Sequence, residues 1–286
     1  MRICVIGSSG AMGSFFANYF ISKGHTVYGY DIVKREVGGV KTVEELDPAV
    51  SDSEVILVAT PIQAIKGVLD EMPPTSEKKA LIEIASIKAG IIRELREISR
   101  MKGYELISIH PLFGPNLQRG ARMKFAVVGE RSSEELLRTL FPGSELIYFP
   151  DAEEHDRAMA FLLSLTHAIN IVYASMLLSH LGLERFRELH TPISYTQHLV
   201  SLSVLSQSEK LISQLQVENP FSGDLIAAFI EEISRFNHMV SSSDREGIEK
   251  YVSGIKREFG QGRLESSIRE LYNFFSMAQG DSKGET

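Results

Sequence analysis

Residues 1–31, MRICVIGSSGAMGSFFANYFISKGHTVYGYD, decide the fold. Ile3, Val5 and Ile6 suit a buried parallel strand. The run leads into Gly7, Gly10 and Gly13, placed where a chain must turn sharply, approach a pyrophosphate and pack a helix against a sheet. A helix opening at Ala11 and Met12 then directs its free N–H groups at phosphate. A second apolar run ends in Asp31, whose carboxylate can accept hydrogen bonds from ribose hydroxyls and repel a 2′-phosphate. The stretch predicts strand, phosphate loop, helix and strand, and a dinucleotide site selecting NAD over NADP. Ser8 occupies the first position of the G-x-G-x-x-G spacing, with Gly7 one residue early, and Lys34 and Arg35 are the residues that would receive a 2′-phosphate.

Beyond this unit, Val55–Ala59, Ala80–Ala85, Tyr104–Ile109, Phe125–Val128 and Leu146–Phe149 read as further core strands separated by helices. Thr42 and Glu45 have the spacing of a capping box and predict a short helix there. Thr60-Pro61 ends a strand at the edge where nucleotides bind, so both are cofactor-site candidates. The alternation predicts an α/β domain over 1–151, a doubly wound, mainly parallel sheet of the Rossmann type. From residue 152 the strand signal gives way to helical periodicity near 152–181, 192–216, 221–241, 243–258 and 263–277. This predicts an all-α domain over 152–280, followed by a polar tail at 281–286.

Composition narrows the function. The chain has 286 residues, 43% hydrophobic, and a formal net charge of −7, which argues against nucleic acid as a partner. A single cysteine, Cys4, excludes a disulfide framework or a cysteine-rich metal site and fits a reducing, cytoplasmic compartment. The first strand follows Met1 directly, so no signal peptide is expected. Ala160–Leu181 lacks a formal charge but carries Ser164, Thr166, His167, Asn170, Ser175 and Ser179, so it is expected to be the buried centre of the helical domain and not a membrane span.

The chemistry concentrates in Ser108-Ile-His110-Pro-Leu-Phe-Gly-Pro115. His110 leaves a core strand at the carboxyl edge, where it can take a proton from a substrate hydroxyl as hydride departs. Ser86 and Lys88 end another strand at that edge; Ser86 can hold a substrate hydroxyl, and Lys88 is a substrate-binding candidate. His155, in an acidic patch, reads as a surface or domain-interface residue. His167, inside the apolar run, needs a partner.

GSSGAMG, ASIKAG at 85–90, HPLFGP at 110–115, and EHD followed by His167 together resemble the prephenate dehydrogenase family over nearly the whole chain. The resemblance implies oxidative decarboxylation of prephenate to 4-hydroxyphenylpyruvate with NAD and no metal. In that scheme His110 is catalytic, Ser86 is hydrogen-bonded near it, and His167 meets substrate. It also implies a homodimer formed through the helical domain. Alternatives are an arogenate-specific relative, a β-hydroxyacid or F420-linked reductase with a similar loop, or a dinucleotide sensor without catalysis. The family's arginine after a Pro-Ile pair is missing here: Pro192-Ile193 is followed by Ser194, Tyr195, Thr196, Gln197 and His198. Tyr195 and a protonated His198, three apart on one helix face, are therefore expected to bind the ring carboxylate, with Arg119, Arg122 or Arg187 as other sources of charge. The polar tail is expected to be either a natural frayed terminus or the mark of a chain cut from a longer, fused one.

Overall fold

A computed structural model describes residues 1–281 apart from Lys34, Glu36 and Arg119, with side chains described up to residue 277. The readings that rest on Lys34, on Arg119 and on the tail beyond 281 lie outside the described residues. The chain divides into two compact units, Met1–Met159 and Ala160–Thr286.

The first unit runs β1 (Arg2–Ile6), α1 (Ala11–Ser22), β2 (Thr26–Tyr30), β3 (Lys41–Thr42), α2 (Leu46–Asp52), β4 (Val55–Val58), α3 (Ile62–Glu71), β5 (Lys79–Glu83), α4 (Ile92–Lys102), β6 (Tyr104–Pro111), β7 (Lys124–Val128), α5 (Glu134–Leu140), β8 (Glu145–Phe149) and α6 (Ala152–Met159). One eight-stranded sheet orders them β3-β2-β1-β4-β5-β6-β7-β8. Every neighbouring pair is parallel except β6 and β7, which run antiparallel with His110 opposite Ala126. The doubly wound, Rossmann-type fold is thus the one observed. Alternation along β1 serves both faces: Ile3 and Val5 join Phe16, Phe20, Leu57, Phe125 and Phe141 on one, while Cys4 and Ile6 join Ile56, Val58, Ile65, Leu81 and Leu95 on the other. Burial pushes the Cys4 thiol up to about 12, leaving it an inert core residue. The order reverses between β1 and β4, which opens a crevice at their carboxyl ends.

One local expectation fails in this unit. Thr42 does not cap a helix: Lys41 and Thr42 pair with Tyr28 and Gly29 as an edge strand, and α2 begins only at Leu46. The first compact unit includes α6, which packs on β7 and β8.

The second unit is helical, with a π-helical segment Ala160–Leu165, α7 (Thr166–His180), α8 (Leu183–Leu189), α9 (Pro192–Leu205), α10 (Glu209–Val217), α11 (Ser222–Ser241), α12 (Arg245–Phe259) and α13 (Gln261–Asp281). Pro192 sits in the first turn of α9 behind a capping box of Thr191 and Ser194. The single helix expected over 192–216 is two, because the Ser208 hydroxyl accepts the Leu211 N–H and starts α10 afresh. The short α8 was not anticipated.

The helical run Ala152–His180 is long and apolar enough to cross a membrane, yet only 28% of its most apolar window is buried. The expectation of a buried centre is therefore corrected. Ser164, His167 and Asn170 turn inward, whereas Phe161, Leu162, Val172, Met176 and Leu178 are exposed. Two of the inward groups are satisfied locally: Ser164 Oγ donates to Leu215 O at 2.8 Å, and Asn170 Oδ1 accepts from Gln197 and Ser201 at 2.7 and 2.9 Å. Polar groups inside and apolar ones outside mark a face built to be covered.

Candidate active site

The glycine loop is shaped by close approach. Gly7 has φ +85°, and a Cβ there would stand 2.8 Å from Ala59 O. A Cβ on Gly13 would stand 1.9 Å from Gly7 O, so α1 meets the loop at a distance no side chain permits. The first i→i−4 bond of α1 is Ser14 N–H to Gly10 O, and no side chain caps the helix. The amides of Ala11, Met12 and Gly13 therefore precede the ladder and face outward as an anion site. Ser8 donates its N–H to Tyr30 O, and its hydroxyl packs where a Gly29 side chain would be.

Asp31 accepts the Ser9 N–H on Oδ2 and the Val33 N–H on Oδ1, each at 2.9 Å, and Ser9 Oγ donates to Val33 O at 2.6 Å. The carboxylate thus also latches the loop to the end of β2, a role not read from the sequence, and each oxygen keeps a lone pair for a ribose hydroxyl. Thr60 Oγ1, just past β4, is buried without a protein partner, and Pro61 is the N-cap of α3. Bare glycines, outward amides, the terminal carboxylate and this orphaned hydroxyl fit a dinucleotide. Ala11, Met12 and Gly13 would hold its pyrophosphate and Asp31 its ribose.

His110 lies at the carboxyl end of β6, 5% exposed. Its Nδ1 is 3.2 Å from His155 Nε2, and His155 Nδ1 is 2.7 Å from Asp156 Oδ1. Asp156 also accepts the Lys88 N–H at 3.0 and 3.1 Å and the Ala89 N–H at 2.7 Å. His155 and Asp156 are fully buried, which corrects the surface reading of His155. Their burial was legible in spacing: Ala152, His155, Asp156 and Met159 recur at i, i+3, i+4 and i+7, one face of a helix. Burial, the Lys88 ammonium and His155 hold His110 well below the usual imidazole range, so the ring is neutral at pH 7.

Lys88 is also corrected. It is fully buried, with Nζ 2.5 Å from Glu83 Oε1 and 2.8 Å from Ile109 O, and so does not reach a ligand. Glu83 further accepts the Ala85 N–H at 2.8 Å and the Ser108 hydroxyl. Burial lowers the Lys88 pKa, opposed by Glu83 and Asp156. Lys88 instead braces the strand residue before His110. Ser86 is half-buried in the turn after β5, at the same sheet edge as His110.

Within the helical unit, His167 is buried with no partner for Nδ1, and burial lowers its pKa. The Tyr195 ring lies 5.0 Å from His190 and 5.5 Å from Phe275, and the His198 ring 4.8 Å from Phe186. Partial burial, then Arg187 and His190, lower the His198 pKa. His198 is therefore neutral at pH 7 and not the cation expected, and Arg187 supplies the positive charge beside it. Arg122, in the first unit, stands 4.0 Å from Glu145.

This arrangement is that of a nucleotide-binding α/β unit with a buried histidine at the carboxyl edge of its sheet, followed in the chain by a helical unit. Residues 16–126 match the family model "Prephenate dehydrogenase, nucleotide-binding domain" and residues 151–254 match "Prephenate dehydrogenase, dimerization domain". The chain belongs to the prephenate dehydrogenase family. It is 26% identical over 276 residues to the "Probable arogenate/prephenate dehydrogenase" of Methanocaldococcus jannaschii, covering 91% of this chain and 61% of that protein. It is 21% identical over 262 residues to the T-protein of Enterobacter agglomerans, covering 90% of this chain and 67% of that one. The chain thus spans about three fifths to two thirds of the length of these relatives. Among solved structures, prephenate dehydrogenase from A. aeolicus in complex with hydroxyphenyl propionate and NAD+ superposes with TM-score 0.70 at 16% identity, over 90% of this chain and 97% of that one. Synechocystis arogenate dehydrogenase gives TM-score 0.65 at 17% identity, over 89% and 97%.

Proposed function

We propose that the protein catalyses the NAD-dependent oxidative decarboxylation of prephenate to 4-hydroxyphenylpyruvate, a step toward tyrosine. The observation that carries this reading is His110: a buried, neutral imidazole at the carboxyl edge of the sheet, with Nδ1 engaged and Nε2 without a protein partner among the described residues. NAD, when bound, accepts hydride from the ring carbon that bears the hydroxyl. His110 Nε2 takes the hydroxyl proton, the ring carboxylate departs as carbon dioxide, and aromatisation drives the step. Ser86, at the same edge, holds the substrate hydroxyl. On the helical unit, His167, Tyr195, His198 and Arg187 are the candidate substrate contacts, Arg187 providing charge for a carboxylate. The exposed apolar side of the 160–181 run is the surface through which two copies pair.

The test is NADH appearance at 340 nm with prephenate and with arogenate. Turnover of prephenate is expected; turnover of arogenate alone reassigns the substrate, and NAD binding without turnover of either refutes an enzymatic role. His110→Asn is expected to keep NAD affinity and lower kcat by about 10² to 10⁴. A normal kcat in that variant removes His110 from the chemistry.

A further inference from the structure

Asp156 and His155 do more than fill the space behind His110. Both Asp156 oxygens face backbone donors, Lys88 N–H on Oδ1 and Oδ2 and Ala89 N–H on Oδ2, which leaves the carboxylate as an acceptor. The proton in the 2.7 Å contact with His155 therefore sits on His155 Nδ1. In the neutral form of His155 the lone pair then lies on Nε2, and in that form the proton in the 3.2 Å contact sits on His110 Nδ1. This leaves the lone pair of His110 on Nε2, the one nitrogen free to meet a substrate.

We propose that Asp156 and His155 are positioning residues that set the tautomer of His110 through this hydrogen-bonded chain and receive the charge that develops on it. The proposal rests on His110 acting as the base. When a substrate O–H bond breaks, its proton forms an N–H bond on His110 Nε2. The Nδ1 proton of His110 then passes to His155 Nε2, so the imidazolium rests beside the Asp156 carboxylate. The reverse shift restores His110 once Nε2 releases its proton to water. No electrons move along the chain. Among the described residues, Lys88, bonded to Glu83 and Ile109 O, stands by His110 and Asp156, and the Phe149 ring packs edge-on to His155 at 5.4 Å. The phenyl ring cannot compete for the His155 protons.

Asp156→Asn separates tautomer control from shape. Its single oxygen is held by the Lys88 and Ala89 amides, which turns the NH2 group toward His155 Nδ1. The amide must donate there, His155 must then protonate Nε2, and His110 must accept on Nδ1 and carry its proton outward on Nε2. A long-range proton–nitrogen spectrum of histidine-labelled protein reads this directly, without substrate. Wild type is expected to show His110 protonated on Nδ1 and bare on Nε2, and Asp156→Asn the reverse. With the substrate the wild type turns over, the variant is expected to lose about 10² to 10⁴ in kcat at pH 7, with NAD affinity and melting temperature little changed. Its rate should also follow a shifted pH profile, which a merely structural role would leave alone.

A wild-type His110 bare on Nδ1 overturns the proposal even if the variant does not fold. So does an Asp156→Asn enzyme within threefold of wild-type kcat on an unchanged pH profile. Absence of wild-type turnover with prephenate and arogenate refutes the enzymatic reading instead, while the spectrum still decides the tautomer.

Discussion

Replacing Lys88 with Met tests whether the ammonium under β6 braces His110. Met keeps most of the apolar stem and removes the charge, so packing changes little. Glu83 then keeps only the Ser108 hydroxyl and the Ala85 N–H, and Ile109 O loses its donor. Both members of the pair are fully buried, and stranding one charge of such a pair costs about 3 to 5 kcal/mol. The carboxyl can instead take a proton, which for an ordinary glutamate of pKa about 4.3 costs about 3.7 kcal/mol at pH 7. That route sets the ceiling, and it falls by about 1.4 kcal/mol for each pH unit of acidification. Urea unfolding should therefore show a loss of about 3 to 4 kcal/mol at pH 7 that shrinks to about 1 kcal/mol near pH 5. The sign follows from proton counts, because the variant's folded state binds a proton that its unfolded state releases above pH 4.3. Adding Glu83→Gln should recover most of the loss at pH 7 and remove its pH dependence. A loss under about 1 kcal/mol at pH 7, or one unmoved by pH and by the second substitution, would falsify the assignment of Lys88 as a buried structural cation.

Asp31→Ala should weaken NAD about tenfold to a hundredfold, since a hydrogen bond to a charged group is worth about 1.5 to 3 kcal/mol, and should relax discrimination against NADP. An unchanged ratio of kcat/KM for the two cofactors would remove Asp31 from recognition and leave it only the loop latch. Acid should destabilise the protein through His110 and His167, whose burial lowers their folded-state pKa. The unfolded rings bind protons below about pH 6.5 and the folded ones resist, so stability is complete above that value and declines below it. Each ring contributes a loss on the order of 1 kcal/mol between pH 7.5 and 5.5, read from urea midpoints, and His110→Asn should shrink the total. An equal decline in that variant would show that other groups carry it.

The parts of the site legible in sequence are those whose reason is local. Gly7 and Gly13 stand where neighbouring backbone excludes a side chain, and His110 lies at the carboxyl end of a core strand, so position alone marks each as a candidate. His155 was misread because Glu153, Glu154 and Arg157 make its surroundings look like solvent. What draws it inward lies far away in the chain: His110, which its ring meets directly, and the Lys88 and Ala89 amides, which hold its neighbour Asp156. The reading of Lys88 fails for the same reason, its acceptor Ile109 O being reached only once β5 and β6 pair. Thr42 failed because strand pairing with β2 overrode a correct capping signal, and the start of α10 was hidden by continuous helical periodicity across Ser206–Ser208.

The reversed direction of β7 has a further consequence. A parallel successor to β6 would carry the chain across the sheet to its other end, whereas an antiparallel one starts at the end where β6 finishes, with Phe125 opposite Pro111. The chain just past β6 is moored on α1, where Phe113 lies 5.5 Å from Phe15 and 6.3 Å from Phe16 by ring centroid. The segment after β6 thus ties the strand that carries His110 to the helix that opens behind the glycine loop. Changes in its length or sequence can reshape that end of the first unit while the sheet register, set by hydrogen bonds further down, stays as it is.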